Sequence, residues 1–181
     1  DKARMKALLL AAGRGSRLGR HTADQPKCLT RIGERSLIER QIETLRGAGI
    51  DEIVVATGYR AEMLEFEGIQ YVHNPDWATT NMVETLFCAE EHLTDDVIVA
   101  YADIIYEPCV LRALIESPHD VSVVVDRQWR NYWEHRFDEP LSDAESMRIS
   151  ENGQILELGQ AVTDIEKIQA QYIGLTRFRH G

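Results

Sequence analysis

The chain has 181 residues, 44% of them hydrophobic and 28% charged, which suits one domain with a sizeable core and excludes a fibre, a disordered tail or a repeat array. Its longest apolar run, residues 7–12, is far short of the roughly 20 residues of a bilayer-spanning helix. The net charge of −10 speaks against a nucleic-acid partner, yet the first 46 residues carry +6 and the remainder −16, so the basic opening points to an anionic ligand.

Residues 6–12 read as a continuous apolar strand buried on both faces, and residues 37–48 place Leu37, Ile38, Ile42 and Leu45 on one helical face that Gly49 ends. Further strands are predicted at 52–57, 70–73, 97–101 and 121–126, with helical patterns at 82–92 and 109–115 between them. Strands alternating with helices predict a mostly parallel sheet with helices on both faces. After Asp126 the rhythm changes. An aromatic and charged stretch leads to strands at 147–150 and 155–158 around an Asn152-Gly153 turn, then to a last strand at 171–178. The pattern is an α/β domain over residues 1–181 with a β-rich insertion. Three cysteines, odd in number, far apart and without metal-ligand spacing, suit reduced thiols in the cytoplasm.

The first strand runs into Ala11-Ala12-Gly13-Arg14-Gly15-Ser16-Arg17-Leu18-Gly19, a glycine loop at the carboxyl end of a parallel strand, where α/β proteins bind ligands. Glycines let backbone amides approach phosphate oxygens, and an arginine can bind them through two parallel hydrogen bonds. The dinucleotide fingerprint fails, because Leu18 stands where its third glycine belongs, and the P-loop fails for want of Gly-Lys-Ser/Thr. The specific element is the pairing of this loop with Gln25-Pro26-Lys27-Cys28-Leu29. Together they resemble the family of nucleotidyltransferases that join nucleoside triphosphates to phosphorylated small molecules. The resemblance implies a Rossmann-like fold of the nucleotide-diphospho-sugar transferase type. It places the nucleotide on Leu10, Ala11, Ala12, Gly13, Gly15, Ser16 and Arg17, and Lys27 where the two substrates meet. A proline-turn lysine at the surface is the plainer reading of Lys27.

Asp103, at the carboxyl end of the fourth main strand, resembles the family's metal-binding aspartate and would take Mg²⁺; its plainer reading is a helix N-cap. Asn81 resembles a nucleotide-site asparagine, and with Glu84 it equally fits a capping box. The segment from Asp126 to Glu145, with six acidic residues and three arginines, resembles a branch that uses CTP and acts on phosphocholine and aminoalkylphosphonates. By that resemblance Asp126, Arg130, Trp133, Arg136 and Glu145 receive the acceptor, with aromatic faces and carboxylates suited to an ammonium group. The alternative for Trp129 and Trp133 is that they cover the sheet. The expectation is a Mg²⁺-dependent cytidylyltransferase that joins CTP to a small phosphonate or phosphocholine-like acceptor, catalysed by Arg17, Lys27 and Asp103, with no membrane or nucleic-acid partner. Alternatives are a sugar-1-phosphate nucleotidyltransferase and a nucleotide-binding module without turnover. The resemblance also implies a second metal-site aspartate beyond Gly181, so the chain is expected to lack the family's closing segment.

Overall fold

The computed structural model describes residues 5–15 and 24–179, and its first element is the apolar run that stands out in the sequence: β1, Lys6–Ala11. A small antiparallel hairpin follows, β2 (Arg31–Ile32) and β3 (Arg35–Ser36), and leads directly into α1 (Leu37–Gly47). Then come β4 (Ile53–Thr57), β5 (Ile69–His73), α2 (Met82–Phe87), β6 (Val97–Tyr101), α3 (Pro108–Glu116) and β7 (Val121–Asp126). The chain continues through α4 (Trp129–Arg136), β8 (Glu145–Ile149) and β9 (Ile155–Ala161) to β10 (Gln171–Phe178).

Six strands form one sheet in the order β5-β4-β1-β6-β10-β7. β1 pairs in parallel with β4 and with β6, and β4 with β5, while β10 runs antiparallel to β6. From β1 the chain moves outward to β4 and β5, then returns to place β6 on the other side of β1. The strand order therefore reverses between β1 and β6, and the carboxyl ends of those strands flank the crevice where open α/β sheets bind ligands.

Side chains alternate between faces along a strand. Leu8, Val54, Val97 and Val99 form one buried cluster with Ala89, and Leu86 of α2 packs against it. Leu9, Val55 and Ile98, which point the other way, are equally buried, so both faces are covered. α1 starts at a capping box, in which Ser36 accepts from the Glu39 amide and the Glu39 carboxylate accepts from the Ser36 amide. Its buried side is Leu37, Ile38, Gln41, Ile42 and Leu45.

Two compact units are distinguished: Asp1–Ser122 with Gly174–Gly181, and Val123–Ile173. β7 begins in the first and ends in the second, and β10 begins in the second and ends in the first. The second unit has its own small core of Trp129, Ala144, Met147, Ile168 and Ala170, and an antiparallel β8–β9 hairpin.

Several elements differ from the sequence reading. The helix expected over 82–92 stops at Phe87, and Glu90–His92 is a separate 3-10 turn. The stretch after Asp126 contains the helix α4, which its polarity hid. Strand β8 begins two residues before the expected 147, and β9 extends to Ala161.

Candidate functional site

β1 ends in the glycine loop, and the loop is tied to both neighbouring strands. The Ala102 amide donates to the Leu10 carbonyl (3.1 Å), and the Tyr59 amide to the Ala12 carbonyl (2.9 Å). The partly buried Leu10 and the buried Ala11 and Ala12 thus form a floor joined to the ends of β6 and β4. Gly13 is exposed, and nothing would obstruct a side chain there. Gly15 is different: it has φ +69°, and an added Cβ would fall 2.8 Å from the Lys27 Cβ. Glycine at 15 therefore lets the lysine stem lie against the loop. Ser16 and Arg17 lie outside the described residues.

Lys27 opens a 3-10 turn, Lys27–Leu29, set by the extended Pro26 before it. Its Nζ forms an ion pair and hydrogen bond with Asp103 Oδ2, both side chains being partly buried. This contact joins the segment after the glycine loop to the end of β6 across the crevice. It also decides two of the open alternatives. Lys27 is not a free surface lysine, and Asp103 does not cap α3, whose N-cap is Glu107. Next to Lys27, Cys28 is buried, and burial together with the Asp103 charge pushes its thiol up to about 12. The thiol stays protonated at neutral pH and serves packing, not nucleophilic chemistry.

Asn81 is the N-cap of α2, its Oδ1 accepting from the amides of Val83 (2.9 Å) and Glu84 (3.2 Å). The capping alternative accounts for its geometry without a ligand.

On the β4 side of the glycine loop lies a group that sequence reasoning passed over. The Arg14 guanidinium sits 5.6 Å from the Tyr59 ring centre and that of Arg60 6.0 Å from it, with Trp77 against the same ring at 5.2 Å. Arg60 has a left-handed backbone, φ 50°, a strained conformation for a non-glycine residue. The signal was the position of Gly58-Tyr59-Arg60 at the end of a parallel strand beside the loop.

In the second unit three of the expected acceptor residues, Asp126, Trp133 and Arg136, gather around Tyr132. Arg130 is shared between Glu134 (3.0 Å) and Glu166 (2.6 Å). Arg136 lies over Phe137 (4.9 Å) and Tyr132 (5.9 Å). Trp133 packs edge-on to Trp129 and Tyr132 and against the unit's core, with its ring N–H buried and unpartnered among the described residues. Trp129 itself is core. The backbone of Glu145 is fixed by the Gln171 amide, which accepts from its N–H and donates to its carbonyl. Asp126 lines a cavity of about 410 Å³ with Gln128, Asn131, Tyr132 and His135.

Among the described residues no three His, Cys, Asp or Glu side chains are grouped to hold a metal, and no helix is long and apolar enough to cross a membrane. Just past the end of β6 the carboxylate offered is Asp103. That suits Mg²⁺, a hard ion which commonly takes one or two carboxylates and completes its shell with phosphate oxygens and water.

Residues 7–157 match the MobA-like NTP transferase domain. The chain is 39% identical over 187 aligned positions to the CTP:phosphoglutamine cytidylyltransferase of Campylobacter jejuni, covering 97% of this chain and 74% of that protein. It is 36% identical over 138 positions to the CMP-5'-(3-aminopropyl)phosphonate synthase of Streptomyces rubellomurinus, covering 72% of this chain but only 22% of that longer protein. In three dimensions it superposes on the CTP:phosphocholine cytidylyltransferase of Streptococcus pneumoniae with a TM-score of 0.72, at 22% identity, over 97% of this chain and 71% of the other. The match over residues 7–157 and the 39% identity to a relative covered over most of its length establish that the chain belongs to the MobA-like NTP transferase family and is a nucleotidyltransferase.

Proposed function

We propose that the protein is a Mg²⁺-dependent cytidylyltransferase acting on a small phosphate- or phosphonate-bearing acceptor with a nitrogen-containing tail. The observation that carries this reading is the Lys27–Asp103 pair, held against Gly15 at the reversal of strand order. The named activities of the relatives support CTP as the nucleotide.

In the reaction, an acceptor oxygen attacks the α-phosphorus of CTP. The bond to the β-phosphate breaks and pyrophosphate leaves. Such an acceptor is substantially ionised at neutral pH, its second pKa being about 6, so no general base is required. The main barrier is repulsion between anions, which positioned cations and amides lower. The amides of the glycine loop, with Arg17, hold the triphosphate, and the Lys27 ammonium neutralises charge at the α-phosphate. Asp103 would hold the Mg²⁺, which when bound neutralises phosphate charge further. For the acceptor, Asp126 is the residue best placed to pair with a cationic tail, beside the Tyr132 ring. The separated cysteines keep the proposed setting cytoplasmic.

The test is pyrophosphate release from CTP, UTP, ATP and GTP, each offered phosphocholine, phosphoglutamine, 2-aminoethylphosphonate, 2-hydroxyethylphosphonate or glucose-1-phosphate. The highest kcat/KM is expected for CTP with a nitrogen-bearing acceptor. Preference for UTP with glucose-1-phosphate would instead favour the sugar-1-phosphate alternative, and CTP binding without turnover the binding module.

A further inference from the structure

We infer that Gln41 of α1 and Gly174 of β10 are positioning residues that fix where Asp103 stands. The peptide joining Tyr101 to Ala102 lies just before Asp103, and both of its polar groups are committed. Its N–H goes to β1, at the Leu10 carbonyl (3.1 Å), and its carbonyl receives the side-chain amide of Gln41 at 2.9 Å. Gln41 is a polar residue on the buried face of an otherwise apolar helix side, 1% exposed. A buried amide costs free energy unless it is used; the Nε2 of this one holds that carbonyl, while its Oε1 is buried without a partner among the described residues.

β10 shapes the same point from the other side of β6. The antiparallel ladder ends at the pair Leu175–Ala100, so one step further would set Gly174 opposite Tyr101. There Gly174 has φ +89°, and a Cβ on it would overlap the Tyr101 ring. The ring rests on bare backbone, and any side chain at 174 would push it away. One peptide plane is thus set by β1, α1 and β10 together, and the carboxylate paired with Lys27 follows two residues later. Neither Gln41 nor Gly174 touches that carboxylate. They act through the strand end, where a displacement of about 1 Å at a reacting centre can cost about a hundredfold in rate.

The inference rests on the reading of Asp103 as a group of the reacting centre, and Asp103→Asn tests that reading separately: if it keeps wild-type turnover, the reading fails whatever the other variants do. Given an inactive Asp103→Asn, Gln41→Met keeps the length and removes the donor. Its kcat should fall about tenfold with KM for CTP, CTP affinity by calorimetry and the unfolding temperature little changed. Gly174→Ala should show the same split. Gln41→Glu can donate to the carbonyl only while protonated, so its kcat should fall with rising pH more steeply than that of the wild type. Wild-type kcat in Gln41→Met, or a loss confined to KM or CTP affinity, overturns the inference. So does failure of Gln41→Met to fold, which would assign the amide to stability. If only Gly174→Ala fails to fold, Gln41→Met decides.

Discussion

In the first unit, charged groups meet as part-buried or buried pairs: Lys27, which the sequence singles out, reaches Asp103 just past the end of β6, and Arg177, which it does not, reaches Asp96 in the interior. In the second unit, Arg130 divides itself between two exposed glutamates and Arg136 lies on the rings beside it. A part-buried pair offers a ligand its charges in fixed geometry. A charge satisfied by its neighbours must give up those contacts before it can serve one. The first arrangement suits chemistry common to a whole family, and the second suits selection among acceptors, where a few residues suffice to discriminate.

That contrast predicts large effects in the first unit and small ones in the second. The largest is structural. Arg177 and Asp96 form a 2.7 Å pair at 4% and 7% exposure, and Arg177 also donates to the Ser117 carbonyl. Arg177→Ala should cost about 3–5 kcal/mol, because it takes the cation away from a buried carboxylate; chemical denaturation measures it, and a loss below about 1 kcal/mol would place this pair with the surface pairs. Next, Lys27→Ala and Asp103→Asn should each lower turnover at least about tenfold at saturating CTP and Mg²⁺ while leaving the unfolding transition in place. Near-normal rates would remove that residue from the site.

The third prediction is a pH effect. The Cys28 thiol titrates at about 12 when folded, against an ordinary value of 9.0. The folded state therefore holds its proton where the unfolded state has lost it, and stability contributed below pH 9 is lost as the pH rises toward 12. The slope is up to about 1.4 kcal/mol per pH unit, and Cys28→Ala should remove it from alkaline unfolding curves. The smallest effect sharpens the comparison from the other side. Asp126→Asn should weaken an amine-bearing acceptor more than its hydroxyl analogue, by about 0.5–2 kcal/mol in kcat/KM, whereas Trp133→Ala should weaken both alike. Discrimination lost in Trp133→Ala and kept in Asp126→Asn would move recognition from the cavity to the packed rings.

Much of the first unit was legible because its signals are local. A continuous apolar run forms β1, and Leu37, Ile38, Ile42 and Leu45 on one helical face mark α1. Lys27 and Asp103 were legible as residues, but not as partners, since 76 positions separate them. Strand order and the reversed direction of β10 depend on pairing across the sheet and leave no local trace. Helix α4 was missed because its aromatic and charged residues lack a clear apolar stripe, and the β2–β3 hairpin because its strands are two residues each. Gln41 and Gly174 were hidden for a further reason. A glutamine on a helix and a glycine in a strand are ordinary until the structure shows that both address Tyr101.

The burial of Cys28 beside Lys27 also makes the segment observable. A thiol reagent meets Cys88 and Cys109 at the surface, but it reaches Cys28 only in molecules whose Pro26-to-Leu29 turn has swung open. The rate of slow labelling relative to fast then reports how often this turn opens. Nucleotide that engages Lys27 should make those openings rarer, so the protein carries its own clock for occupancy of the site, readable by mass without any added probe on the ligand.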